Sequence, residues 1–153
     1  MTDHDTRRST SLGYRISRLS RLNSCLLDAW LEKHGLCSGQ IPYIISTVEK
    51  EGQTQETLST LISVCPAATA RMLKNMEASE LVIRKGNPNN RRQKLVYPTE
   101  KAKELYTVLI PLLDTHNHVM FNGFSHAERV QARTMLDRIY DNVHSKLKEV
   151  KNT

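Results

Sequence analysis

The chain has 153 residues, enough for one domain with an apolar core that needs no disulfide or metal staple. Hydrophobic residues make up 39% and charged residues 25%, while aromatics at 5% with six glycines and five prolines argue for helices over a sandwich or barrel. Lys and Arg number 22 against 16 Asp and Glu, a formal charge of +6 that suits a polyanionic partner. No apolar run reaches the ~18 residues of a membrane span, and the polar start carries no secretory signal. Cys25, Cys37 and Cys65 are odd in number and lack a Cys-x-x-Cys spacing, which points to a reducing cytoplasm.

Residues 1–10 are polar and aperiodic and read as a disordered tail. A first helix over residues 12–33 carries Leu12, Ile16, Leu19, Asn23, Leu26, Leu27 and Trp30 on one face, with Arg15, Arg18 and Arg21 on a polar side. His34-Gly35 ends it. Ser38 is the expected cap of a second helix, with Pro42 in its first turn, a stripe of Ile41, Ile44, Ile45 and Val48, and Gly52 closing it. Thr54 caps a short third helix expected to bury Leu58, Leu61 and Ile62. Cys65 caps a fourth, with Pro66 at its first position and Thr69, Met72, Leu73 and Met76 inward. Its other face presents Ala67, Arg71, Lys74 and Asn75.

The period then changes. Residues 81–84 and 94–97 read as two short strands around the turn residues Gly86-Asn87-Pro88-Asn89-Asn90, a hairpin with a long tip. Thr99 caps a fifth helix running toward Phe121, with a bend expected at Pro111. Ser125-His126-Ala127-Glu128 is a capping box opening a sixth, with Val130, Met135, Leu136, Ile139, Val143 and Leu147 as its buried stripe. Two short consecutive helices followed by a hairpin make a winged helix-turn-helix, so the fold class is mostly α with a β-hairpin wing. The domain reading is a tail over residues 1–10, a dimerisation helix over 11–35, a DNA-binding domain over 36–98 and dimerisation helices over 99–150. The terminal helices carry more apolar surface than so small a module covers, which implies a second copy of the chain.

Between positions 84 and 94 stand Arg84, Lys85, Arg91, Arg92 and Lys94, with no acid among them. Arginine forks suit phosphate, a guanine edge or a narrow minor groove. A solvated turn explains such charges equally well in isolation, but this one follows a helix-turn-helix directly. On the fourth helix, Ala67, Ala68 and Ala70 would let the helix start settle in a major groove about 12 Å wide, with Arg71 and Lys74 behind them. That stripe alone would suit an ordinary amphipathic helix better.

Residues 36–105 resemble the MarR (multiple antibiotic resistance regulator) family of winged-helix transcription factors. The likeness rests on Gly39-Gln40, on Thr54-Gln55-Glu56-Thr57-Leu58 leading to Arg71, on Met76-Glu77-x-x-x-Leu81-Val82-x-Arg84, and on the stretch from Asn87 to Lys101. It implies a homodimer with interlocked terminal helices, each recognition helix in a major groove and each wing in the adjoining minor groove of double-stranded DNA. The implied DNA-binding residues are Thr54, Gln55, Ala67, Ala68, Ala70, Arg71, Lys74, Asn75, Arg84, Lys85, Asn89, Asn90, Arg91, Arg92 and Lys94. It also implies a small-molecule effector, with Trp30, His34 and Tyr43 as candidate lining residues, although simple packing explains those three more readily. The chain departs from the family where acidic wing residues are replaced by Asn87 and Asn90, which makes the wing more cationic and weakens the ion pairing of its arginines. Cys65-Pro66-Ala67-Ala68 replaces a hydroxyl-rich helix start, so sequence reading leans on Arg71, apolar contact and DNA shape. Glu80 stands where the family often has glycine.

No enzyme motif is present, no cofactor is implied, and the chain is read as no enzyme. A metal-gated regulator using Cys37, His116 and His118, a redox-gated one using Cys65, and a winged helix that binds protein are the alternatives. Ordinary histidines, a half-buried capping cysteine and the five cations of the hairpin weigh against each of them in turn.

Overall fold

The computed structural model describes residues 10–151, so the expected tail lies outside the described residues except for Thr10. Helix α1 spans Leu12–Leu31, with the Ser11 hydroxyl accepting from the Tyr14 N–H at 3.2 Å. A 3₁₀ turn over Glu32–His34 follows, and Gly35 takes the left-handed conformation (φ 65°) that ends it. The second helix begins differently from the expectation. A 3₁₀ turn over Ser38–Gln40 precedes α2 (Ile41–Glu49), and Cys37, not Ser38, is the capping position, its N–H donating to Gln40 Oε1 at 2.9 Å. Ser38 instead donates its N–H to Asp28 Oδ1 at 2.6 Å, tying the turn to α1.

Helix α2 stops at Glu49, and Gly52 (φ 73°) lies beyond it in the turn to a strand that the sequence pattern does not announce. This strand, β1 (Gln53–Thr54), is too short for a period-2 signal. It forms because the chain passes the hairpin edge, where Gln53 pairs with Val96 and Thr54 with Leu95. The Gln53 amide is spent on the Ser46 and Lys50 carbonyls at the end of α2.

Helices α3 (Gln55–Ile62) and α4 (Pro66–Ala78) form the helix-turn-helix. Thr54 Oγ1 caps α3 by accepting from the Thr57 N–H, and Ser63 (φ 58°) turns the chain. Thr69, Leu73 and Met76 are fully buried along α4 as their spacing predicts. Leu61 is a correction: it is 61% exposed while Leu58 is 0% exposed. Eight helical residues give one inward stripe, and Ser59, buried with its hydroxyl bonded back to the Gln55 carbonyl, fills the adjoining place.

Strands β2 (Val82–Asn87) and β3 (Asn90–Pro98) are longer than expected and the tip is shorter, with only Pro88-Asn89 between them. The turn residues are drawn into the ladder, with a register irregularity at Gly86/Asn87. The antiparallel sheet has the order β1-β3-β2. Leu81, Val82 and Val96 at the wing root join Leu31, Ile44, Leu58, Leu73 and Met76 as core, with Ala102 and Leu109 from α5 (Glu100–Met120). Pro111 lies inside α5, and the Thr99 hydroxyl accepts from the Ala102 N–H at its start. The capping box forms as read, with reciprocal bonds between Ser125 and Glu128 opening α6 (His126–Lys151).

The chain divides into two units, Met1–Leu112 and Leu113–Thr153. In the first, Leu12, Ile16, Leu19 and Leu22 of α1 are exposed, and only Leu27 and Leu31 of that helix are buried. In the second, the expected buried stripe of α6 is not buried within one chain. Val130, Met135, Leu136, Val143 and Leu147 are all exposed. Among the described residues, no helix is long and apolar enough to cross a membrane.

Two stability outcomes follow from these placements. Leu58→Ala should cost about 2–5 kcal/mol by opening a core cavity, whereas Leu61→Ala should stay within about 0.5 kcal/mol, as read by denaturant unfolding. Glu80 holds φ 58°, a conformation costly for any residue with a Cβ. Glu80→Gly should therefore stabilise by about 0.5–1 kcal/mol in the same measurement.

Candidate nucleic-acid interface

The outer face of α4 is built by its inner one. With Thr69, Leu73 and Met76 buried, the 3.6-residue period turns Ala67, Arg71, Lys74 and Asn75 to solvent. Ala68 and Ala70 are half-buried, so only Ala67 of the three alanines is fully presented. The helix is braced from behind: the buried Tyr43 hydroxyl donates to Thr69 Oγ1 at 3.1 Å. At Gly39, a Cβ would meet Met72 Cε at 3.1 Å, so glycine lets the start of the second helical segment sit close against α4.

That hydrogen bond also fixes the place of Tyr43. It is a core residue at 2% exposure, packed behind α4, which agrees with packing rather than with an open effector pocket. Trp30 and His34 are half-buried at the end of α1 and in the turn after it.

The hairpin places its cations on two faces. Register pairs Arg84 with Val96 and Gly86 with Lys94, so Arg84 and Lys94 share a face with the buried wing root. Ile83, Lys85 and Tyr97 lie on the other, where the Lys85 ammonium sits 5.0 Å from the Tyr97 ring centroid. Arg91, Arg92, Asn89 and Asn90 are exposed at and beside the tip. A cleft of about 350 Å³ opens between the hairpin and the start of α3, lined by Thr54, Gln55, Glu56, Arg84, Arg92, Gln93 and Lys94. Three cations, one of them paired outside the cleft lining with Glu77, and two amides outnumber the single Glu56 carboxylate, a balance that suits a phosphodiester. Thr54 already spends its hydroxyl on the Thr57 N–H, leaving the amide of Gln55 as the freer polar group on that side.

Two asparagines of the wing, Asn87 and Asn90, do mechanical work. Asn87 Oδ1 accepts from the Asn89 N–H at 3.0 Å and Asn90 Oδ1 from the Arg92 N–H at 3.1 Å. Asn87 Nδ2 donates to Gln93 Oε1 at 3.2 Å. Side-chain amides thus shape the tip without adding negative charge near the exposed arginines.

Arg84 is the residue whose surroundings differ most from the sequence reading. It is half-buried and ion-paired with Glu77, near the end of α4. The Arg84 hydrogen bond outweighs partial burial and holds the Glu77 carboxyl below its usual range, with smaller added attraction from the Arg84 and Lys94 charges. Glu77 sits seven positions before Arg84 in the sequence, but opposite charges at that spacing mean nothing until a helix and a strand are known to meet there. Gln93 and Thr69 were likewise without a functional role in the sequence.

All three cysteines are exposed and unbridged, and Cys65 caps α4 without a side-chain hydrogen bond. Among the described residues, no group of three or more His, Cys, Asp or Glu could hold a metal ion. His116 is buried, and His118 Nδ1 donates to the Asp114 carbonyl at 2.7 Å.

Comparison with known proteins agrees with this geometry. Residues 45–94 match the model of the MarR family. The uncharacterized HTH-type transcriptional regulator YybA of Bacillus subtilis (strain 168) is 28% identical over 116 residues, which are 76% of this chain and 77% of YybA. A SlyA-like transcription regulator from Listeria monocytogenes superposes with a TM-score of 0.86 at 28% identity, covering 94% of this chain and 96% of that one. A MarR family transcriptional regulator from the same organism, crystallised with a 26mer DNA, gives a TM-score of 0.84 at 28% identity over 94% and 96% of the two chains.

A folded-state pKa below the usual carboxylate range means that the Glu77–Arg84 contact stabilises above that range and is lost as pH falls through the depressed value. Titration followed by NMR of the Glu77 carboxyl carbon should give a midpoint below the ordinary value of about 4.3, and Arg84→Ala should return it toward that value.

Proposed function

We propose that this chain is a regulator of the MarR family, a cytoplasmic homodimeric repressor that binds a pseudo-palindromic site on double-stranded DNA. Residues 36–98 would form the DNA-binding lobe. The helices over 11–35 and 99–150 would join two copies.

The observation that carries the DNA reading is the all-basic hairpin beside the exposed face of α4, with Arg84, Arg92 and Lys94 around one cleft. A polyanion satisfies those charges together. Arg84 already has Glu77, but an uncharged protein surface would leave Arg92 and Lys94 without a counter-charge, which disfavours the reading as a protein-binding module. Support for the dimer comes from the apolar residues that one chain leaves in water along α1 and α6, more than a monomer commonly tolerates. Two copies related by a twofold axis would set half-sites about 10 bp apart.

In this arrangement Ala67, Arg71, Lys74 and Asn75 face the major groove. Arg91 at the wing tip enters the minor groove, and Arg92 and Lys94 with Gln55 hold the backbone between them. Ala68 and Ala70, half-buried, add closeness of approach rather than contacts of their own. Asn89, Asn90 and Lys85 shape and charge the wing. A small-molecule effector would change the separation of the two recognition helices and release the duplex.

The test begins with selection of bound sequences from random duplexes, followed by titrations of the selected duplex at several salt concentrations. Affinity should fall steeply with salt. Arg91→Ala and Arg92→Ala should each weaken binding and reduce the magnitude of the salt slope by about one. Sedimentation at micromolar concentration should give a dimer. Unselective binding, or a monomer at that concentration, would overturn the reading.

A further inference from the structure

We propose, resting on the DNA-binding reading above, that Glu77 is a specificity-determining positioning residue. Its ion pair with Arg84 locks the wing to the recognition helix and withholds one arginine from indiscriminate contact with phosphate.

The connection between α4 and the wing is short. Leu81 donates its N–H to the Met76 carbonyl at 2.8 Å, and the Ser79 and Glu80 carbonyls accept from Lys101 Nζ and Thr99 Oγ1. These bonds fix the root of the hairpin. They do not fix the blade, which projects from Val82 to the tip and carries the arginines. Glu77 reaches that blade: its carboxylate accepts from the Arg84 guanidinium, two residues beyond Val82 along β2. Side-chain exposures of 21% for Arg84 and 33% for Glu77 place the pair at the edge of water, so solvent screens it only in part. Arg84 Nε is buried and makes no hydrogen bond, so the carboxylate is the partner that holds this guanidinium.

The charges around the pair give it a second consequence. Arg84, Arg92 and Lys94 line one cleft, and Lys94 also attracts Glu77. Without the carboxylate, the three cations would share the cleft with Glu56 as the one acidic residue of its lining. Arg84 would then turn to the nearest phosphate on any duplex. A carboxylate placed beside a surface that binds a polyanion lowers affinity for every sequence equally. It gains discrimination only where the wing orientation it enforces matches the correct site.

The experiment uses the full chain and its variants Glu77→Gln, which conserves shape, and the exchanged pair Glu77→Arg with Arg84→Glu. Affinities are measured for the selected duplex and a scrambled duplex over a range of salt. Glu77→Gln should bind the scrambled duplex about two- to fivefold more tightly, with a salt slope steeper by about one. Its ratio of selected to scrambled affinity should fall about fivefold. The exchanged pair should return the slope, and most of the ratio, toward the original values. If Glu77→Gln matches the original chain in both slope and ratio, Glu77 has no such role. If it weakens both duplexes equally with a lower thermal midpoint, its role is structural only. An original chain that binds no duplex overturns the DNA-binding reading and the role of Glu77 with it. A chain that discriminates while Glu77→Gln is unaltered overturns the role of Glu77 alone.

Discussion

The apolar seam where α4 meets the wing root governs what the rest of this molecule can do. Leu73 and Met76 from the helix, Leu81 and Val82 from the first hairpin strand and Val96 from the second are all at most 1% exposed. Burial of this kind supplies most of the orientation energy between a helix and a sheet, and it has no charge to be screened by salt. Two cationic elements that would repel each other in isolation are therefore carried on one stiff support. The exposed positions of α4 and the arginines of the hairpin inherit their separation from residues that never meet a partner.

Onto that seam the chain adds polar devices that trim orientation rather than supply stability. Tyr43 bonds to Thr69 behind the helix, Asn87 and Asn90 set the tip, and Glu77 pairs with Arg84 in front. Each supports α4 or the wing, and the first two add no net charge there. The wing tip keeps the charge of Arg91 and Arg92 as a result, and its shape comes from amides that salt does not loosen.

A different constraint applies to the ends of the chain. Exposed Leu12, Ile16, Leu19 and Leu22 on α1, and Val130, Met135, Leu136, Val143 and Leu147 on α6, keep their helical spacing although a single chain leaves them in water. Periodicity in a sequence records that a face is to be buried. It does not record whether the covering surface belongs to the same chain or to another. The expected stripe of α6 was thus legible, whereas the burial assigned to it within one chain was not.

The helices, their caps at Thr54, Cys65, Thr99 and Ser125, the hairpin and the outward face of α4 were all readable from the chain, because each depends on neighbours within a few positions. The charge of the wing was equally plain, since composition alone sets it. Only the folded molecule decided that Gln53 and Thr54 join the sheet, that Leu61 faces water, that the hairpin tip is two residues long, that Tyr43 is core and that Arg84 belongs to Glu77. Each of those depends on how segments pair or pack, or on which face is left uncovered, a relation that local periodicity cannot encode.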